Sequence, residues 1–177
     1  MSGHNKWSKI KRQKGATDAA KSKTFGKMAK LIASASKLAK GDVSSPSLRA
    51  AIEKAREYNM PSDNIDRAVK KGLGSDSESF EANTYEAYGP GGSALVIEVL
   101  TTNKNKAAQE IKHILSKNGF ELAAQGSATW AFSKGPGSEW IPNMLIPLST
   151  EDEGVLEKLI NELEENDEVQ DVFTNAE

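Results

Sequence analysis

The chain reads as an α+β protein, with a basic N-terminal three-helix bundle followed by a ferredoxin-like βαββαβ domain that has one extra strand at its start. Three observations predict this. Apolar residues recur at spacings of three and four through the first half and alternate through much of the second. Glycine, proline and short polar residues punctuate the segments. Charge divides at the same place: residues 1–74 carry 17 Lys+Arg against 6 Asp+Glu, and residues 75–177 carry 6 against 19.

Residues 2–16, SGHNKWSKIKRQKGA, show neither helical nor strand period, so 1–16 is expected to be a flexible basic arm with Trp7 and Ile10 as its apolar points. Thr17 then caps a helix whose stripe is Phe25, Met28, Ile32, Ala35 and Ala39, widened by Leu31 and Leu38 and ended by Gly41. Lys23, Lys27, Lys30 and Lys37 occupy its opposite face. A second helix opens with Ser45 as cap and Pro46 at the first position, where a missing N–H costs nothing. It turns Leu48, Ala51, Ile52, Ala55 and Tyr58 inward, and Pro61 breaks it. A third, capped by Ser62 or Asp63, buries Ile65, Ala68 and Val69 and closes at Gly72. These helices make 17–74 a bundle. Polar residues 75–79 are the expected linker, which leaves 80–177 as the α+β domain.

There the period changes. Tyr85 to Tyr88 lead into the turn Gly89-Pro90-Gly91-Gly92, and Ser93–Thr101 reads as a strand with Leu95, Ile97 and Val99 on one face. Asn103 or Asn105 caps a helix with Ala108, Ile111, Ile114 and Leu115 inward. Ser127–Phe132 reads as a strand with Ala128, Trp130 and Phe132 alternating, the two aromatics assigned to the core. After a Gly-Pro-Gly turn, Trp140–Leu148 is strand-like, but Pro142 and Pro147 put it at an edge. Ser149 and Asp152 open a helix with Val155, Leu156, Leu159, Ile160 and Leu163 inward. Val169–Phe173 is the last strand.

Composition excludes several functions. Without cysteine there is no disulfide, thiolate zinc site or cysteine nucleophile. His4 and His113 are too few for a histidine-built metal site, and the acids from Glu162 to Glu168 read as a solvated helix face. No catalytic constellation, metal or cofactor is expected. The longest apolar run, Ala94 to Leu100, is broken by Glu98, so no bilayer span is expected. With no secretory-type stretch at the N-terminus, a cytoplasmic monomer is expected, or a mitochondrial-matrix one in an organellar system. The glycine turn precedes a strand and lacks a Lys-Ser/Thr ending, so it is a hairpin turn and not a phosphate loop.

What remains is polyanion binding. A basic half tied to an acidic half suits a module that grips phosphates joined to one that stays off them. The phosphate-contacting candidates are Lys6, Lys9, Lys11, Arg12, Lys14, Lys21, Lys23, Lys27 and Lys30. Trp7 either stacks on a base or anchors the arm. A second contact is expected at one less acidic end of the α+β domain, formed by Tyr88, Gly89, Pro90, Gly91, Gly92, Lys104 and Lys106. Arg12 is the only arginine in the first forty residues. Major-groove readout favours bidentate side chains over lysine, a point charge, so ribosomal RNA is the first expectation and DNA the alternative. A protein–protein adaptor acting through the acidic domain is the third.

Particular motifs carry a resemblance. Gly3–Lys11 (GHNKWSKIK), Leu48-Arg49-Ala50-Ala51, Asn59-Met60-Pro61, Ile65-Asp66-Arg67-Ala68, Tyr88-Gly89-Pro90-Gly91-Gly92, Ile111–Gly119 with His113, and Val169-Gln170-Asp171-Val172 resemble the YebC/PmpR family. That family includes the mitochondrial translational activator of cytochrome oxidase subunit one. The resemblance implies either DNA-binding transcriptional regulators or ribosome-associated translation factors. It also implies that typical members carry a third α+β domain inserted after Phe132-Ser133-Lys134, which this chain lacks.

Overall fold

The computed structural model describes Trp7 and residues 17–177; the rest of the expected arm, with Lys6, Lys9, Lys11, Arg12 and Lys14, lies outside the described residues. Two compact units emerge, one spanning Arg12–Phe80 and the other Glu81–Glu177, to which Trp7 also belongs.

The first unit holds α1 (Asp18–Ala39), α2 (Pro46–Glu57) and α3 (Ser62–Gly72). Thr17 caps α1 through its hydroxyl, which accepts from Ala20 N at 3.2 Å. Met28, Ile32 and Ala35 pack with Leu48, Ala51, Ile52 and Ala55 of α2 and with Met60, Ile65 and Ala68. Leu38 departs from its expected place: it is 81% exposed, because it lies about 120° round the helix from Ile32. Gly41 closes α1 as expected, its N–H reaching Ser36 O at 2.9 Å with φ at +79°.

The α1–α3 approach is the tightest point of this unit. A Cβ built on Gly72 would stand 2.3 Å from Ala33 O and 2.9 Å from Ser36 Cβ. Beside it, Ser36 Oγ donates to Val69 O at 2.8 Å. Only glycine allows backbone and helix to meet so closely. Gly72→Ala is therefore expected to force the helices apart and cost roughly 1–3 kcal/mol. Gly74→Ala, whose Cβ would meet nothing nearer than 3.5 Å, serves as the near-neutral control. Paired denaturant melts of the two variants check this.

The second unit contains β1 (Glu81–Tyr88), β2 (Ala94–Thr101), α4 (Lys104–Lys117), β3 (Leu122–Ala123), β4 (Phe132–Lys134), β5 (Trp140–Pro142), α5 (Thr150–Glu165) and β6 (Val169–Thr174). The α+β class with helices first and strands after is as expected, but the strands are distributed differently. The four-stranded antiparallel sheet runs β3-β1-β2-β6, and β4 with β5 forms a separate hairpin. The strand expected as an extra is thus central: β1 pairs with β2 from Glu81↔Thr101 to Tyr88↔Ala94 and with β3 on its other side. The ferredoxin-like βαββαβ order placed 127–132 and 140–148 in the main sheet, and this is corrected. Pro142 ends β5 after three residues.

The stretch read as a strand at 127–132 is a 3-10 turn, Thr129–Ala131, leading into β4. Ala128 and Ala131 are buried at a spacing of three, while Trp130, expected in the core, is 63% exposed. The cause is Glu86. This buried carboxylate accepts from Gly126 N at 2.6 Å, Ala128 N at 2.7 Å and Thr129 N at 2.8 Å, bending the backbone around itself.

Leu95, Ile97 and Val99 face one side of the sheet as expected, packing with Ala107, Ile111 and Leu115 of α4 and Leu156, Leu159, Ile160 and Leu163 of α5. Alternation puts Ala94 and Val96 on the other side, under Ala128, Ala131, Phe132, Trp140 and Phe173. Glu98 ties the hairpin to this face: it accepts from Trp140 Nε1 at 3.0 Å and Lys134 Nζ at 3.3 Å. Among the described residues no helix is long and apolar enough to cross a membrane.

Candidate nucleic-acid interface

Helix α1 carries the candidate site. At 100° per residue, Lys23, Lys27, Lys30 and Lys37 fall within about a quarter of its circumference, away from the Met28–Ile32–Ala35 stripe. Lys23, Lys27 and Lys30 are half-buried. Lys21 is exposed but lies about half a turn from these three, over the apolar side. The structure therefore groups three of the four candidates on α1 and separates the fourth.

The segment expected as a polar linker lies beside these lysines. Lys37 Nζ donates to Ser77 O at 2.7 Å and to Ser79 Oγ at 2.9 Å, and Lys30 Nζ stands 5.5 Å from the centre of the Phe80 ring. Further basic side chains are exposed on the other helices: Arg49 and Arg56 on α2, and Arg67, Lys70 and Lys71 on α3. These five lie outside the lysine-dense N-terminal stretch, and their positions off the apolar faces of α2 and α3 are the sequence signal that marks them.

Trp7 is placed elsewhere. Its side chain is 5% exposed and belongs to the core formed by Leu95, Ile97, Leu115, Leu159 and Leu163 in the α+β unit. The anchoring alternative describes this position, and the anchorage is in the α+β core and not in the helical bundle.

The second expected contact divides in two. The Gly89–Gly92 turn joins the end of β1 to the start of β2, whereas Lys104 and Lys106 follow the far end of β2. An eight-residue strand separates them by roughly 25 Å, so they do not share an end of the domain. The turn is closed on itself: Gly89 N donates to Ser93 O at 2.7 Å and Ser93 Oγ to Pro90 O at 2.8 Å, with Gly91 and Gly92 at φ +64° and +76°. Lys106 faces Glu110 at 3.5 Å and Glu168 at 4.0 Å. Nearby, burial and the charge of Glu168 raise the Tyr85 phenol above its ordinary range.

Electrostatically the second unit is dominated by acids. In Glu86 burial pushes the carboxyl up, but the N–H groups of Gly126, Ala128 and Thr129 outweigh it and hold the group below the ordinary carboxylate range. His113 is exposed on α4.

A basic helical unit joined to an acidic α+β unit defines a modular protein with segregated charge. The chain belongs to the TACO1/YebC family. The family model described as the TACO1/YebC protein N-terminal domain matches residues 5–75, and that of the second and third domain matches 80–137 and 135–176. The last two stretches meet at the turn between β4 and β5, where the resemblance put an inserted domain in typical members. A relative from Syntrophus aciditrophicus is 47% identical over 178 residues, covering 99% of this chain and 71% of its own. One from Desulfosudis oleivorans is 51% identical over 136 residues, covering 76% of this chain and 55% of its own. Both are named probable transcriptional regulatory proteins. The chain thus spans little more than half of the latter relative's length. A solved structure, a conserved hypothetical protein from Aquifex aeolicus, superposes with a TM-score of 0.76 at 28% identity, covering 90% of this chain and 91% of that one.

Proposed function

We propose that this protein is a non-enzymatic, nucleic-acid-binding regulator of gene expression that grips phosphates through its basic N-terminal half, with ribosomal RNA as its ligand. The carrying observation is the placement of Lys23, Lys27 and Lys30 on one side of α1, within a half that carries 17 basic residues against 6 acids. Ammonium groups at helical spacing neutralise successive phosphates without reading bases, and RNA shape then supplies the selectivity. The acidic unit projects away from the polyanion or approaches it by a limited edge. The protein works in the cytoplasm as a monomer, or in the mitochondrial matrix of an organellar system.

A second reading, DNA-binding regulation of transcription, is favoured by the names of the relatives. One experiment separates the two. Ribosomes and duplex DNA compete for the labelled full chain at matched phosphate concentration over a salt series. Ribosomes are expected to compete better, and log affinity should fall linearly with log salt at a slope reflecting roughly five or more neutralised phosphates. A defined duplex site that outcompetes ribosomes by orders of magnitude transfers the function to DNA. A flat salt response removes phosphate gripping altogether.

A further inference from the structure

The segment that leads from α3 toward β1 is held along α1, within the helical unit. Gly72 seats the end of α3 against Ala33 and Ser36 of α1, and Ser77 N then donates to Gly74 O at 3.1 Å. That turn reverses the chain and sends it back over α1. Lys37 Nζ donates to Ser77 O at 2.7 Å and to Ser79 Oγ at 2.9 Å, and Lys30 Nζ stands 5.5 Å from the centre of the Phe80 ring. Lys30 and Lys37 are seven residues apart, about 10.5 Å along the helix. Ser77 to Phe80 has no regular structure and spans about 10 Å when extended. The two lengths match, so the segment runs antiparallel to α1 and lies on two of its four aligned lysines.

Lys37 thus receives from its own chain what a phosphate would offer, oxygen acceptors within hydrogen-bond reach. Glu78 lies in the chain between the two atoms that Lys37 holds, and Asp76 directly precedes the first. Covalent geometry keeps both acids near the ammonium, and both are exposed. A tether of a few residues gives such a segment an effective concentration on the order of millimolar, so individually weak contacts compete with a ligand in solution. The contacts are also reversible. The acceptors on Lys37 are neutral and hold an ammonium less strongly than phosphate oxygens, whose hydrogen bonds are charge-assisted. Nor is the segment locked by burial, since Ser77 and Phe80 are half-buried and Ser79 is exposed.

We propose that residues 76–80 are an intramolecular competitor for the α1 site, a strap over Lys30 and Lys37 that a nucleic acid must displace. The site then has a strapped form of low affinity and an open form in which both ammonium groups meet phosphates. This rests on the reading of α1 as a phosphate-binding surface, and adds that the chain itself sets the affinity of that surface. A ligand shifts such an equilibrium only by binding one form better. Here the open form offers it two more cations and moves the acids at 76 and 78 out of its way.

The test uses the full chain, a labelled RNA hairpin and a glutamate-specific protease at one salt concentration. Asp76→Asn combined with Glu78→Gln should tighten RNA binding several-fold. It should do so by more than Glu139→Gln combined with Glu151→Gln, which removes two exposed charges from the α+β unit. Ser79→Asp, which puts a carboxylate where Lys37 now meets a hydroxyl, should weaken binding several-fold. Cleavage of the wild type after Glu78 should quicken when RNA is added, measured against cleavage after Glu121, an exposed residue between α4 and β3. Equal affinities of the two double variants, with cleavage after Glu78 no faster in RNA, overturn the strap and leave α1 an open phosphate surface. RNA that binds none of the proteins, Asp76→Asn with Glu78→Gln included, overturns the phosphate reading and the strap with it. Cleavage of the wild type reads the displacement even if a variant is poorly folded.

Discussion

Trp7→Ala should destabilise the α+β unit by about 3–5 kcal/mol, the usual cost of emptying a large aromatic side chain from a core. The indole is 5% exposed among Leu95, Ile97, Leu115, Leu159 and Leu163, so its truncation empties a buried space. Thermal or denaturant unfolding of the full chain, followed by amide exchange of β2 and α5, should show the loss there and spare α1, α2 and α3. Nucleic-acid affinity, measured where both proteins are fully folded, should change little. An unchanged melting curve with weakened RNA binding would reverse the assignment and make Trp7 a stacking residue.

Glu86 should show a smaller effect with a pH signature. Glu86→Ala leaves the N–H groups of Gly126, Ala128 and Thr129 without their acceptor beneath Trp130. Of these only the Ala128 N–H is fully buried, and at about 1–3 kcal/mol for a buried donor left unsatisfied the expected loss is roughly 1–3 kcal/mol. The folded carboxyl titrates below its unfolded value of about 4.3. Its contribution is therefore complete above that value and is lost as pH falls through the lower folded one. Stability of the wild type should consequently drop more steeply below about pH 5 than that of Glu86→Gln, which carries no titrating group there. Parallel acid profiles for the two proteins would mean that the clamp holds no charge.

The sequence disclosed its helices well because local signals agreed with the packing. Thr17, Asn103 and Ser149 were readable as caps, and each side chain accepts a backbone N–H as expected. The alternation of Leu95, Ile97 and Val99 likewise found its face. Errors arose where a distant residue decided local structure. Ala128, Trp130 and Phe132 alternate like a strand, but the Glu86 carboxylate, some forty residues earlier, captures the backbone that a strand would have paired. Strand β3 is two residues long and leaves almost no pattern to read. At the candidate site the lysine row was legible from spacing alone. That Lys37 is tied to Ser77 and Ser79 was not, because nothing in a polar serine-rich stretch announces where it lies. Trp7 and its core are separated by the whole helical unit, beyond the reach of any local period.

That separation has a consequence for how the chain is made. Trp7 leaves the ribosome well before the core that receives it, whose other members run from Ala87 to Ala176. At translation rates of about 5–20 residues per second, the indole waits on the order of ten seconds for its slot to be complete. The three helices between have short-range contacts that can form during that wait, whereas the α+β unit must close its longest loop at the end. Vectorial synthesis thus delivers the basic unit first and keeps an apolar anchor in hand until the acidic unit exists to bind it. A chain interrupted between α3 and β6 leaves the nascent protein with its basic half assembled and Trp7 without its core, which is the state a chaperone would meet.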